Sequence, residues 1–218
     1  MEKRQVTTQI NLRSLAEDTE GNVEPVIEGY ALEFNKQSEV LGGFTSFRET
    51  IDPHALDNAD MSNVLATFNH DQSQPIARSG VNMTLEVDDI GLKFVIEPLN
   101  TTLTRDLAEL IDKGVINQCS FAFTIPDVEG SEDWVESNEE GVDYERTVRS
   151  IDHLYDVSIV STPAYADTTV SVGARSKELV NEIEADKAEQ LAKANEWKNE
   201  RSKMLLKIEK EAMLKEVN

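Results

Sequence analysis

The chain is short of the residues that most often carry chemistry. It has one cysteine, Cys119, and three histidines, His54, His70 and His153, among 218 residues. One cysteine excludes an internal disulfide and fits a protein kept in a reducing cytoplasm. The histidines stand 16 and 83 residues apart, and no second cysteine lies near Cys119. That is not the close spacing of a zinc site, so no metal is expected. There is no glycine-rich phosphate loop, no nucleophile elbow and no dinucleotide fingerprint, and no cofactor is expected. No apolar run reaches the roughly 18 residues of a membrane span. The start, Met1 to Thr7, lacks the apolar stretch of a signal peptide.

Basic residues are scarce too. Lys and Arg number 21 against 42 Asp and Glu, for a net charge of -21. From Ser176 onward 9 basic and 10 acidic residues nearly cancel, so residues 1–175 hold 12 basic and 32 acidic, a net of -20. A body this acidic is repelled by nucleic acid and by anionic membranes, and neither is expected as a partner. A soluble acidic surface is the plain reading of that charge.

Residues 1–175 read as one strand-rich domain. Strands are expected at Gln5–Leu12, at Val26–Phe34 with a bulge at Gly29, and at Asn63–Asn69. Val81–Val87 and Gly91–Ile96 read as a hairpin across Asp88-Asp89. Further strands are expected at Ser120–Ile125, Tyr144–Ile151, Tyr155–Val160 and Thr169–Val172. Asp52-Pro53 reads as the start of a short helix. Leu103 to Lys113 is the stronger helix: Leu103, Leu107, Leu110 and Ile111 share a face, Asp106 and Glu109 sit early, and Gly114 ends it. Between Ile125 and Arg146 nine acidic residues occur with no basic one, which reads as a solvated loop or hairpin whose only buried part is a strand at Trp134. Residues 176–218 contain no Gly and no Pro and read as a long charged helical tail that needs a partner for stability.

The residues left for chemistry are a hydroxyl, an imidazole and a carboxylate. His70 ends the run Val64 to Asn69 and precedes a turn at Pro75. Ser120 begins Ser120-Phe121-Ala122-Phe123, after the helix that Gly114 closes. A serine hydroxyl becomes a nucleophile only when a base can take its proton, and neutral imidazole is the usual base near pH 7. A third group must hold the imidazole's tautomer. Asp156 sits in an otherwise apolar strand, where an unpaired carboxylate is costly. Spacing alone does not join these three. It equally allows a turn histidine, a strand-edge hydroxyl and a solvent-facing aspartate.

Their surroundings carry a resemblance. Ile27-Glu28-Gly29-Tyr30-Ala31 with Phe34-Asn35, Phe47-Arg48-Glu49 through Asp52-Pro53-His54-Ala55-Leu56, Phe68-Asn69-His70-Asp71, Gln118 to Phe123, and Leu154 to Val160 with Thr162-Pro163-Ala164-Tyr165 follow in order. In that order they resemble the prohead proteases of tailed bacteriophages, the capsid-maturation serine peptidases related in fold to herpesvirus assemblin. The resemblance covers roughly Val26 to Val172. It implies an α+β fold with a barrel-like assemblin-type core and few helices, to which the composition adds the long C-terminal helical tail. It implies Ser120 as nucleophile, His70 as base and Asp156 as third member. It also implies the major capsid protein and its scaffolding segment as substrate, cleavage of the chain itself, self-association, and action inside the procapsid in the host cytoplasm.

Two positions depart from the family pattern. Asp156 stands where Glu is usual, and Ala122 follows Phe121 where Gly is usual. Assemblin uses a second histidine as third member, which makes His153 the rival of Asp156. In a regular strand 153 and 156 face opposite sides, so only one can address His70. Arg146 and Arg149 are candidates for the supporting arginine of assemblin-type sites, and equally for surface partners of the acidic loop. Cys119 is the minor rival of Ser120. A non-catalytic assembly protein with the same fold is the alternative function, and a small acidic module binding basic proteins is a third.

Overall fold

The computed structural model describes the backbone of residues 2–6, 10–14, 25–42, 45–161 and 174–216. Side chains are described for residues 10, 26–42, 45–161, 179–198 and 200–201. The chain divides into two compact units, Met1–Gly173 and Ala174–Asn218. The second is helix α2 (Ala174–Glu216), whose described side chains are almost all exposed or half-buried.

Among its described residues the first unit forms three sheets. The five-stranded sheet has the order β1 (Glu2–Val6), β10 (Gln118–Thr124), β13 (His153–Val160), β6 (Leu65–Phe68), β7 (Asp71–Arg78). A second sheet runs β2 (Ile10–Ser14), β3 (Pro25–Glu33), β9 (Gly91–Ile96), β8 (Met83–Val87). The third runs β11 (Glu132–Glu136), β12 (Tyr144–Val148), β5 (Ser46–Ile51), β4 (Leu41–Gly42). Two pairs are parallel, β13 with β6 and β12 with β5. The fold is α+β and mostly strand, as expected. Among the described residues each sheet ends in two different edge strands, so none closes into a barrel.

The core is built from inward faces at period two. Cys119, Phe121 and Phe123 alternate on β10 and meet Val157, Ile159 and Ala66 of the same sheet. Ile10, Ile27, Leu32, Phe94 and Ile96 come from the second sheet, and Ile51 and Val148 from the third. Each large apolar side chain buried here contributes about 1.5–3 kcal/mol. Gly91 opens β9 where β3 bulges, and a Cβ there would stand 2.1 Å from the Leu32 carbonyl oxygen. Only glycine fits.

Helix α1 (Thr102–Asp112) lies where the pattern placed it, with Gly114 left-handed at φ +68° after it. Its buried face is Thr104, Leu107 and Ile111, whereas Leu110 is exposed. Its start is held by a capping box between Thr101 and Thr104, not by Asp106 or Glu109, which lie beyond the first turn.

Several other expectations change. Gln5–Leu12 is not one strand: β1 and β2 belong to different sheets. The β3 bulge falls between Tyr30 and Leu32, not at Gly29. The Asp52-Pro53 segment forms successive turns, with Ala55, Asp57 and Ala59 amides donating three residues back, and no helix. Pro75 sits inside β7, an edge strand where a missing N–H is tolerated and where the register shifts. The segments Thr162–Tyr165 and Thr169–Val172 lie outside the described residues.

Candidate active site

The site grows from one row of residues across the five-stranded sheet. Ser120 of β10 stands opposite Ser158 of β13, and Ser158 stands opposite Thr67 of β6. Residues directly opposite on neighbouring strands share a face. Asp156, two residues before Ser158, joins that face and stands opposite Ala122. The alternate positions, Cys119, Phe121, Val157 and Ala66, carry the core. One face of these three strands is therefore hydroxyl and carboxylate, and the other is apolar.

His70 comes to this row from a turn. β6 and β7 are joined by Asn69 and His70 alone, with φ +53° and +59°. Left-handed backbone at both central residues is the pattern of a type I′ hairpin. Asn and His are among the non-glycine residues that adopt this region most readily, though at a cost in backbone energy. The turn is tied down: the Asn69 amide donates to the Ile159 carbonyl at 2.9 Å, and the Asn69 side-chain carbonyl accepts from the Ser161 amide at 3.0 Å. The His70 amide donates to Ser158 Oγ at 3.2 Å. A strained residue held by several bonds marks a place worth chemical attention.

The imidazole then bridges the row. His70 Nε2 lies 2.6 Å from Ser120 Oγ, and His70 Nδ1 lies 2.7 Å from Asp156 Oδ1. Both contacts are short enough for proton transfer or charge-assisted bonding. Asp156 Oδ1 also accepts from Ser158 Oγ at 2.6 Å, and Oδ2 accepts from Thr67 Oγ1 at 2.9 Å. Ser120, Ser158 and Thr67 have no solvent exposure, while the His70 and Asp156 side chains keep 11% and 13%. Asp156 reaches the imidazole directly although it is one methylene shorter than Glu.

His153 is engaged elsewhere. Its ring lies between Asp152, at 2.9 Å from Nδ1, and Asp60, at 3.4 Å from Nε2, and stacks on Tyr155. The close contact with Asp152 and the nearby Asp152 and Asp60 charges raise its pKa above the ordinary imidazole value. The alternation argument against it does not hold in its simple form. Phe123 pairs with Leu154 and Ala122 with Asp156, so Tyr155 has no counterpart and the strand changes phase between 153 and 156. Cys119 is buried in the core face, with Sγ 2.9 Å from the Tyr30 carbonyl oxygen.

The two arginines lie in and beside the third sheet. Arg146 pairs with Glu49 at 2.6 Å and with Glu132 at 2.7 Å, all three buried. Arg149 pairs with Asp133, and with Asp52 at 3.1 Å. The acidic segment is thus not only a solvated loop: Ser131, Glu132, Val142 and Tyr144 are buried along with Trp134.

Thr67 and Ser158 belong to no motif that singles them out in the sequence. The available signal was period two in β13, which puts Ser158 on the face of Asp156 once that strand is accepted. The adjacency of Thr67 depends on the parallel pairing of β6 with β13, which no local pattern reveals.

A family model described as caudovirus prohead serine protease matches residues 9–183. No curated protein and no solved structure matched the chain. Among the described residues no helix is long and apolar enough to cross a membrane. The matched span takes in β3 through β13 and every residue of the row described above, and the chain belongs to the caudovirus prohead serine protease family, serine peptidases that mature phage capsids within the assembling procapsid of the host.

Proposed function

We propose that Ser120 is the nucleophile, His70 the general base and Asp156 the group that orients it. The observation that carries this is the imidazole bridging Ser120 Oγ and Asp156 Oδ1 through its two nitrogens, at 2.6 and 2.7 Å. With Nδ1–H donated to Asp156, Nε2 is the basic nitrogen and takes the Ser120 proton as Oγ attacks a peptide carbonyl. Backbone amides stabilise the oxyanion, and the imidazolium then protonates the leaving amine. Water reverses the sequence to free the acyl-enzyme. Asp156 stays ionised and supports the imidazolium charge.

The substrate in this proposal is the scaffolding segment of the major capsid protein, cut inside the procapsid, with the chain itself as a second substrate. Several copies associate there, and the three sheets wrap the core in a barrel-like manner akin to assemblin. The tail from Ser176 docks the enzyme in the shell and is itself removed. Its support is composition and exposure: no Gly, no Pro, and a 43-residue helix whose described residues are mostly exposed.

The test is co-expression of the native chain or Ser120→Ala with the major capsid protein of the same phage, followed by intact masses. Shortened capsid protein with the native chain only supports the reading, and the mass locates the cut. Full-length capsid protein in both, with procapsids still formed, favours a non-catalytic assembly role. A chain truncated after Arg175 that still enters procapsids would refute docking by the tail.

A further inference from the structure

Two buried hydroxyls in the row have no place in the three-residue scheme. Ser158 Oγ sits at a junction. It donates to Asp156 Oδ1 at 2.6 Å, accepts from the His70 amide at 3.2 Å, and touches Thr67 Oγ1 at 2.6 Å. Thr67 Oγ1 donates to Asp156 Oδ2 at 2.9 Å. Both residues are fully buried. We infer that Ser158 and Thr67 are positioning residues for the peptidase reaction: together they fix the Asp156 carboxylate, and Ser158 alone also fixes the strained backbone of His70, so that Nε2 meets Ser120. This rests on the roles given to Ser120, His70 and Asp156 above.

Three features carry the inference. The first is coverage of the carboxylate. With His70 on Oδ1, Ser158 on Oδ1 and Thr67 on Oδ2, both oxygens are held and the carboxylate plane cannot rotate away from the imidazole. The second is the double attachment of Ser158. It bonds the base through its backbone and the orienting group through its side chain, so both ends of the His70–Asp156 bond are referenced to one atom. At φ +59° the His70 backbone is in a region costly for a non-glycine residue, and a lost bond there frees it to relax. The third is a count of protons. Each hydroxyl has one, yet Ser158, Thr67 and Asp156 share three short oxygen–oxygen contacts. Two protons serve three contacts. When both point at Asp156 the carboxylate is fully solvated by the protein, which is the arrangement suited to facing an imidazolium.

This count ranks the two residues. In Thr67→Val the single Ser158 proton is free to stay on Asp156, and the His70 amide keeps its acceptor. In Ser158→Ala both bonds go. The test uses the full-length chain and a fluorophosphonate that labels activated serines, with capsid-protein shortening on co-expression as the second readout. Ser158→Ala is expected to lower the maximal labelling rate about 10–100-fold with the half-saturating probe concentration unchanged. Thr67→Val is expected to lower it up to about tenfold, and Thr67→Ser to restore most of the loss. Thermal melting checks that each variant folds. A merely structural role would shift melting without this rate-only pattern or the rescue by Ser. Native-like labelling of folded Ser158→Ala overturns the inference while leaving the nucleophile in place. Labelling of Ser120→Ala at the native rate, or no labelling and no capsid cleavage by the native chain, overturns the underlying assignment and this inference with it.

Discussion

Two sheets of this protein each carry a polar row across three strands, and the two rows are built on opposite principles. In the third sheet Glu49, Arg146 and Trp134 stand side by side on β5, β12 and β11. Arg146 bonds Glu49 and Glu132, Trp134 Nε1 donates to Glu132 at 2.9 Å, and the guanidinium lies 5.4 Å from the Trp134 ring centroid. The groups are charged, buried, and matched to one another. In the five-stranded sheet Thr67, Ser158 and Ser120 stand side by side on β6, β13 and β10. Here the row itself is neutral, and the His70–Asp156 pair at its edge retains some exposure and a left-handed backbone. A polar row that serves stability closes on itself. The five-stranded row, which we propose serves chemistry, keeps one left-handed member and some exposure.

That contrast predicts separable failures. The largest effect belongs to the five-stranded row: Asp156→Asn should cut the maximal labelling rate of Ser120 by about 10²–10⁴-fold, because an amide no longer selects the Nδ1–H tautomer. Its melting temperature should stay near native, which differential scanning calorimetry would report. Arg146→Met reverses the pattern. Removing the guanidinium leaves buried Glu49 and Glu132 without it, and such a loss costs about 3–5 kcal/mol. Chemical denaturation should show it, and labelling per folded molecule should be retained. If Arg146→Met abolished labelling in folded protein, the two rows would not be independent.

Smaller changes sharpen the same line. Trp134→Phe keeps an aromatic ring but loses indole volume and one donor to the buried Glu132, and the lost donor alone costs about 1–3 kcal/mol by denaturant titration. His153→Gln tests the rival third member. The folded-state pKa of His153 is raised by Asp152 and Asp60, so its stabilising share is complete on the acid side of the ordinary imidazole value. It disappears as pH rises through the folded value. Melting of the native chain should therefore fall slightly more between about pH 6 and pH 8 than melting of His153→Gln, with small amplitude because the ring is exposed. Labelling of Ser120 should be the same in both. A large loss in His153→Gln would transfer the third role away from Asp156.

What was legible in the chain was local. The β8–β9 hairpin was visible because strand-like runs flank Asp88-Asp89, and Asp88 indeed caps that turn, accepting from the Ile90 and Gly91 amides. Helix α1 was visible in its apolar spacing and in Gly114. The family was visible because its segments follow in order. Less legible was anything set by partners distant in sequence. β5 looked like a motif and not a strand, because its long neighbour β12 comes from a distant part of the chain and its local neighbour β4 spans only Leu41–Gly42. Pro75 looked like a turn because a proline in a strand is admissible only at an edge, and edges are a property of the sheet. The choice for Arg146 between the site and the acidic segment stayed open in the sequence, because one of its carboxylates, Glu49, is 97 residues away.

The sequence by itself determined the composition of the protein: an acidic body, a charged tail without helix breakers, alternating strands, and a serine, a histidine and an aspartate embedded in family segments. Those follow from local spacing and residue chemistry. Only the tertiary structure decided that Ser120, Ser158 and Thr67 form one row and that a left-handed turn brings His70 over it. It also decided that Asp156, not His153, receives the imidazole. The reason is that strand register and bulges fix which residues share a face, and register is set by pairing across the whole fold.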